Sequence, residues 1–193
     1  MLLKTKKLMK AFGGLKAINK VDFELPEGEI RGIIGPNGSG KSTFFNLISG
    51  VYDPDPGSHI EFNGQDITNE PSHKIGALGL ARTFQLLRLY QDMSVINNVM
   101  SGYHTRVPYS FTEAVLGRKK IWDQEKQIKE EMMDLLSFVG LADYAEMNAS
   151  ELSGGQRRLL VLARAIAGKP KLLMLDEPAA GLSPVNVDNL MKI

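Results

Sequence analysis

Cysteine is absent from the 193 residues, which excludes disulfide scaffolds and thiolate metal sites and leaves a reducing compartment allowed. No uninterrupted apolar run reaches the roughly 18 residues that would read as a membrane-spanning helix. Charge of one sign is missing too. With 23 Lys plus Arg against 22 Asp plus Glu, the formal net charge is +1, which gives no global argument for nucleic acid or anionic lipid. The opening MLLKTKKLMK breaks its apolar residues with four lysines and lacks an apolar core of signal-peptide length. There is no internal repeat and no low-complexity segment. What remains is ordinary globular composition, 43% hydrophobic and 23% charged, which argues against disorder, collagen and coiled coil. The length suits one domain, or one domain with a lobe, and allows a real core.

Patterning changes along the chain. Residues 1–34 read as strands, with Val21, Phe23 and Leu25 alternating with polar neighbours. After the turn signal Pro26-Glu27-Gly28, Ile30 to Ile34 is a nearly continuous apolar run, as expected of a strand buried on both faces. Ser42 to Ser49 reads as a helix, VYDPDPGS at 51–58 as a loop, and His59 to Asn63 as a short strand closed by Asn63-Gly64. Thr68 to Gly79 is mixed, with a short helix. From Ser94 to Leu141 helical spacing takes over, with Ile128, Met132, Leu135, Leu136 and Val139 three or four apart. This is the pattern of a helical lobe inserted into an α/β core. Ser153 is placed to cap a helix through Ala167, and Lys171 to Leu175 is a second buried strand.

Three motifs carry chemistry. Gly35-Pro36-Asn37-Gly38-Ser39-Gly40-Lys41-Ser42 matches GxxxxGK[ST] between an expected strand and an expected helix, the context the motif requires. Its glycines let backbone N–H groups curl around phosphate oxygens, and the helix N-terminus adds partial positive charge. Lys41 would reach the β and γ phosphates and Ser42 would hold Mg²⁺. Second, Leu172 to Leu175 delivers Asp176 and Glu177 where a buried strand surfaces. Asp176 suits Mg²⁺, directly or through water, and Glu177 could polarise an attacking water; taken alone, a strand capped by solvated acids reads the same way. Third, Leu152-Ser153-Gly154-Gly155-Gln156 offers N–H groups and a hydroxyl at a helix start, an anion site or simply a capped helix.

These motifs, with Gln85 between them, resemble in order and spacing an ATP-binding cassette ATPase over essentially the whole chain. The resemblance implies a P-loop NTPase (RecA-like) α/β core with a small antiparallel β subdomain and an inserted α-helical subdomain. The core would take 1–88 and 153–193, and the helical subdomain 89–152. It implies two subunits dimerised head to tail, each ATP lying between one subunit's Gly35–Thr43 loop and the other's Ser153, Gly154, Gly155 and Gln156. Thr43 joins Ser42 in the nucleotide loop, Asp176 becomes the magnesium-side acid and Glu177 the general base. Gln85, in Arg82-Thr83-Phe84-Gln85, matches the glutamine that senses magnesium and attacking water. Phe12, ahead of Gly13-Gly14, matches the aromatic that stacks on adenine, the plainer reading being a core Phe. Ala180-Gly181-Leu182-Ser183 matches the loop that touches the partner subunit, with Ser183 where the family often has Asp.

FGGLKAINKVDFEL, ARTFQLLRLYQDMSVINNVMSG and AAGLSP are similar to the cytoplasmic ATPase of branched-chain amino acid importers, with the lipopolysaccharide exporter ATPase a near neighbour. Implied partners are a second ATPase subunit, transmembrane permeases and, indirectly, a solute-binding protein, with no nucleic acid. The implied location is peripheral, at the cytoplasmic face of the membrane. The other reading is a degenerate cassette that binds ATP without turnover. The family's switch histidine has no counterpart, because His59, His73 and His104 all precede the 152–156 motif. The expectation is that these residues are part of a longer chain. Lys4 to Lys7 and Arg118-Lys119-Lys120 read as solvated faces, Trp122 as a packing anchor, the methionines as core filler, and the histidines as structural or exposed.

Overall fold

The computed structural model describes residues 1–83, 89–103 and 119–177, with side chains from residue 124 in the last stretch. The chain divides into two compact units, Met1–Leu80 and Ala81–Ile193.

The first unit is built on an antiparallel sheet of order β2-β1-β3-β4, with β1 Leu3–Phe12, β2 Leu15–Leu25, β3 His59–Phe62 and β4 Gln65–Asp66. Gly13-Gly14 closes the β1–β2 hairpin at the pair Phe12↔Leu15, and the two-residue loop suits glycine because primed turns need positive φ. Asn63-Gly64, with φ 49° and 77°, closes β3 onto β4 in the same way. β1 is longer than β3, and only Leu3 to Lys6 find ladder partners there. Further along, the 51–58 loop takes over as a surrogate strand. Ser58 Oγ accepts the Met9 N–H at 2.9 Å, Asp55 Oδ2 accepts the Ala11 N–H at 2.8 Å, and the Asp55 N–H reaches the Met9 carbonyl at 2.9 Å. A turn-rich stretch thus satisfies backbone groups that a ladder would otherwise serve. The alternation expected over Val21 to Leu25 is present, with Asp22 and Glu24 exposed between half-buried or buried neighbours. The helix α1, Lys41–Ile48, buries Phe44, Leu47 and Ile48, and Phe44 meets Phe23 of β2 edge-on at 5.3 Å. The short helix α2 is Ser72–Ala77.

Ile30 to Ile34 is not a strand. It pairs with no strand among the described residues, and Ile30 and Ile34 are fully exposed. An apolar run records a tendency to be buried; it cannot supply the neighbouring backbone that makes a strand.

In the second unit, β5 (Leu80–Arg82) pairs with β6 (Leu172–Met174). Its α-helices among the described residues are α3 (Val95–Gly102), α4 (Lys119–Phe138) and α5 (Gly154–Ala167). Their shared core contains Val95, Val99, Met132, Leu136, Val139, Leu160 and Ala163. Met132, Leu136 and Val139 are the expected α4 stripe, with Ile128 and Leu135 half-buried beside it. Asn98 is fully buried in this core. Its Oδ1 accepts the Tyr90 N–H, and its Nδ2 faces the carbonyls of Tyr90, Met93 and Ser94 at 3.0–3.2 Å. The segment before α3 is therefore pinned from inside. Arg164 lies over the Tyr90 ring at 5.9 Å, and burial pushes its guanidinium below its ordinary value. Not every methionine is core filler: Met132 and Met174 are buried, while Met93 and Met147 are exposed. His73 is exposed and His59 half-buried, and the Trp122 side chain, His104 and Arg118 lie outside the description.

Candidate functional site

The first unit holds the phosphate loop. Residues 35–38 are exposed, and Gly40 turns the chain into α1 at φ 94°. Glycine is required at this corner. The dihedral is left-handed, and a Cβ there would stand 2.5 Å from the Ala17 carbonyl oxygen and 2.9 Å from Ile18 Cδ1. The loop is thus seated against β2. Gly38 is also left-handed, and the Ser39 N–H closes back on the Pro36 carbonyl at 3.2 Å.

Gly40 offers no side-chain acceptor, so α1 starts without a side-chain cap, and the first intrahelical bond found runs from the Phe44 N–H to Gly40 at 2.8 Å. The N–H groups of Lys41, Ser42 and Thr43 precede that bond and have no intrahelical acceptor. They carry the positive end of the helix dipole. The Lys41 ammonium folds back over the loop and donates to the carbonyls of Gly35 at 2.7 Å and Pro36 at 2.9 Å. Backbone amides, dipole and ammonium together form an anion-binding constellation.

Phe12, at the end of β1, is 44% exposed, so the core reading of this residue is wrong. Its ring meets Tyr52 edge-on at 5.5 Å, and Lys10 Nζ lies 5.6 Å from its centroid. The 51–58 loop brings Tyr52 there by bonding along β1. Sequence reasoning missed Tyr52; its signal was an aromatic inside a loop rich in Pro, Gly and Asp.

The second unit holds the acidic motif. Asp176 and Glu177 follow β6, Asp176 part-buried and Glu177 exposed with φ 48°. The end of β5 clasps this corner. The Thr83 N–H donates to the Met174 carbonyl at 3.0 Å, and the Asp176 N–H approaches Thr83 Oγ1 at 3.4 Å. Arg82 Nη2 donates to Asp176 Oδ2 at 3.3 Å, with the two side chains only 6% and 19% exposed. Burial lowers the Arg82 guanidinium from its ordinary value, while the hydrogen bond and charge of Asp176 oppose that shift. The group stays cationic, as arginine does in proteins. Arg82 and Thr83 were quoted in the sequence only as neighbours of Gln85, and nothing in spacing marked them as partners of Asp176. Gln85, proposed from the sequence for metal and water, lies outside the described residues, as does Ala180 to Ser183.

The 152–156 motif forms the expected capped start. Ser153 Oγ accepts the Gln156 N–H at 3.3 Å, and Gln156 Oε1 accepts the Ser153 N–H at 2.9 Å, a complete capping box. Leu152 is buried and anchors the turn, while Ser153 and Gly154 are exposed. The box leaves the N–H groups of Gly154 and Gly155 at the helix tip without an intrahelical acceptor.

The donor types present, the Ser42 hydroxyl and the Asp176 carboxylate, are hard oxygens that fit Mg²⁺. Among the described residues no group of three or more His, Cys, Asp or Glu could hold a metal. Mg²⁺ does not need one where phosphate oxygens and water complete its shell.

The family model for ABC transporters matches residues 18–180. The chain is 44% identical over 188 residues to the probable branched-chain amino acid transport ATP-binding protein LivG of Archaeoglobus fulgidus, covering 95% of this chain and 70% of that protein. It is 38% identical to the high-affinity branched-chain amino acid transport ATP-binding protein LivG of Escherichia coli, covering 98% and 74%. Among solved structures, the ADP conformation of an ATP-binding cassette of an ABC transporter matches with a TM-score of 0.80 at 34% identity, over 98% of this chain and 73% of the other.

Proposed function

Because the chain belongs to the ABC transporter family, we propose that it is the ATP-hydrolysing subunit of an importer of branched-chain amino acids. The phosphate loop carries this reading: Gly40 forced left-handed against β2, an α1 tip without a side-chain cap, and Lys41 poised over its own loop carbonyls. The relatives' names supply the solute.

ATP phosphates take the N–H groups from Gly38 to Thr43, and Lys41 exchanges its loop carbonyls for phosphate oxygens. Phe12 stacks on adenine; its exposure supports that role. Magnesium, when bound, would neutralise charge on the β and γ phosphates. Ser42, Gln85 and Asp176 would hold it. Glu177 orients and deprotonates the attacking water. Ser153, Gly154, Gly155 and Gln156 of a second subunit close over the γ-phosphate, and the exposure of Ser153 and Gly154 leaves that tip reachable. The subunit docks peripherally on transmembrane permeases at the cytoplasmic face. Among the described residues no helix is long and apolar enough to cross a membrane. The nucleotide-binding core comprises 1–88 and 153–193, and the helical subdomain 89–152.

The test is Glu177→Gln, assayed with the permease subunits in liposomes. ATP turnover and leucine uptake fall by about 10²-fold or more, while ATP binding holds and an ATP-dependent dimer accumulates on size exclusion. Full turnover in the variant overturns Glu177 as base. Turnover in the parent without leucine-stimulated transport overturns the solute assignment and leaves the ATPase standing.

A further inference from the structure

The pairing of Arg82 with Asp176 is unusual in where it puts a positive charge. Asp176 is the carboxylate that the proposed function assigns to magnesium, and the present inference rests on that assignment. Yet the same carboxylate already faces a guanidinium at 3.3 Å in a nearly closed environment, with Arg82 only 6% exposed. A part-buried carboxylate with no counter-charge is costly, and so is a buried guanidinium. Each stabilises the other. The backbone holds the two in register, because Thr83 binds the chain on both sides of Leu175, through the Met174 carbonyl and the Asp176 N–H.

We propose that Arg82 is a placeholder cation for Asp176: it neutralises and orients the carboxylate while no metal is bound, and it competes with magnesium for that carboxylate when nucleotide arrives. Two cations sharing one carboxylate repel at short range, where the effective dielectric is far below that of water. Metal binding therefore loosens the ion pair, and Arg82 holds the metal affinity down. Arg82 is a positioning residue. It acts through Asp176. The consequence is a metal that binds weakly enough to leave with the spent nucleotide.

The experiment measures Mn²⁺ binding by electron paramagnetic resonance on the intact chain with a non-hydrolysable ATP analogue. Arg82→Gln raises Mn²⁺ affinity by at least about fivefold, and leaves metal-free binding of the analogue within about twofold. Arg82→Lys, which keeps the charge, stays near the parent. Asp176→Asn lowers Mn²⁺ affinity. Unchanged or weaker Mn²⁺ binding in Arg82→Gln, with Asp176→Asn weakened, overturns the placeholder alone. No effect of Asp176→Asn overturns the assignment of Asp176 to the metal, and the inference with it. If Arg82→Gln does not fold, the unmutated chain decides. The guanidinium ¹⁵N resonances of Arg82 shift when Mg²⁺ is added to the analogue complex, and an unmoved resonance overturns the competition.

Discussion

Gly102 faces the backbone of Arg164 so closely that a methyl group on it would stand 3.0 Å from the Arg164 carbonyl carbon and nearer still to its oxygen. This is where α3 meets α5. The obstacle is helix backbone, which cannot swing aside as a side chain tip can. Gly102→Ala should push the helices apart and cost about 1–3 kcal/mol by overpacking, although alanine is the better helix former. Urea denaturation followed by circular dichroism checks this, and an unchanged or raised midpoint would show that the contact gives way.

Asn98 makes a second prediction about the same unit. Its side chain has no exposure and holds the 90–94 segment through four hydrogen bonds. Asn98→Leu keeps the size and strips the amide, leaving the Tyr90 N–H without its acceptor, while the carbonyls of Tyr90 and Met93 keep the N–H groups of Met93 and Ala149. A loss of about 1–3 kcal/mol is expected, the cost of one stranded donor. Amide hydrogen exchange at Tyr90 should accelerate in any variant that folds.

For Gly40 the expected effect is on binding as well as folding. Gly40→Ala meets both a left-handed dihedral and the Ala17 carbonyl, so the loop must lift away from β2. Nucleotide affinity, read by titration with a fluorescent ATP analogue, should fall by about tenfold or more, equivalent to about 1.4 kcal/mol. A variant that binds as the parent does would show that the corner is not what shapes the site.

Asp66 sets an acid dependence. The Thr68 hydroxyl and N–H both donate to its carboxylate, holding its pKa below the ordinary value, with His59 adding a smaller pull. A lowered folded-state pKa means the contribution is present above the unfolded value and lost as pH falls through the folded one. Asp66→Asn should therefore lower stability at neutral pH and lose that deficit in strong acid. Urea midpoints at neutral pH and in acid, compared between parent and variant, check the sign.

Motifs that are local were legible from the residues, because local physics builds them. The Ser153 cap, the Asn63-Gly64 hairpin and the α1 start depend on a few neighbouring residues, and each stands as its sequence implied. What depends on partners distant in sequence was not legible. Ile30 to Ile34 has the apolar character of a buried strand and lies exposed, since pairing is decided elsewhere. The Arg82–Asp176 contact joins residues 94 positions apart, and no periodicity could have announced it. Phe12 fell between these cases. Its place in a strand ahead of Gly13-Gly14 was visible, but its exposure is set by how the 51–58 loop runs along β1.

The run from Ile30 to Ile34 has a practical consequence. Greasy side chains on a stretch that pairs with no strand among the described residues invite extended segments from any source, a second molecule of the same protein included. Purified at high concentration, the protein should self-associate through this stretch. A lysine in place of Ile34 should keep it in solution, which dynamic light scattering would show.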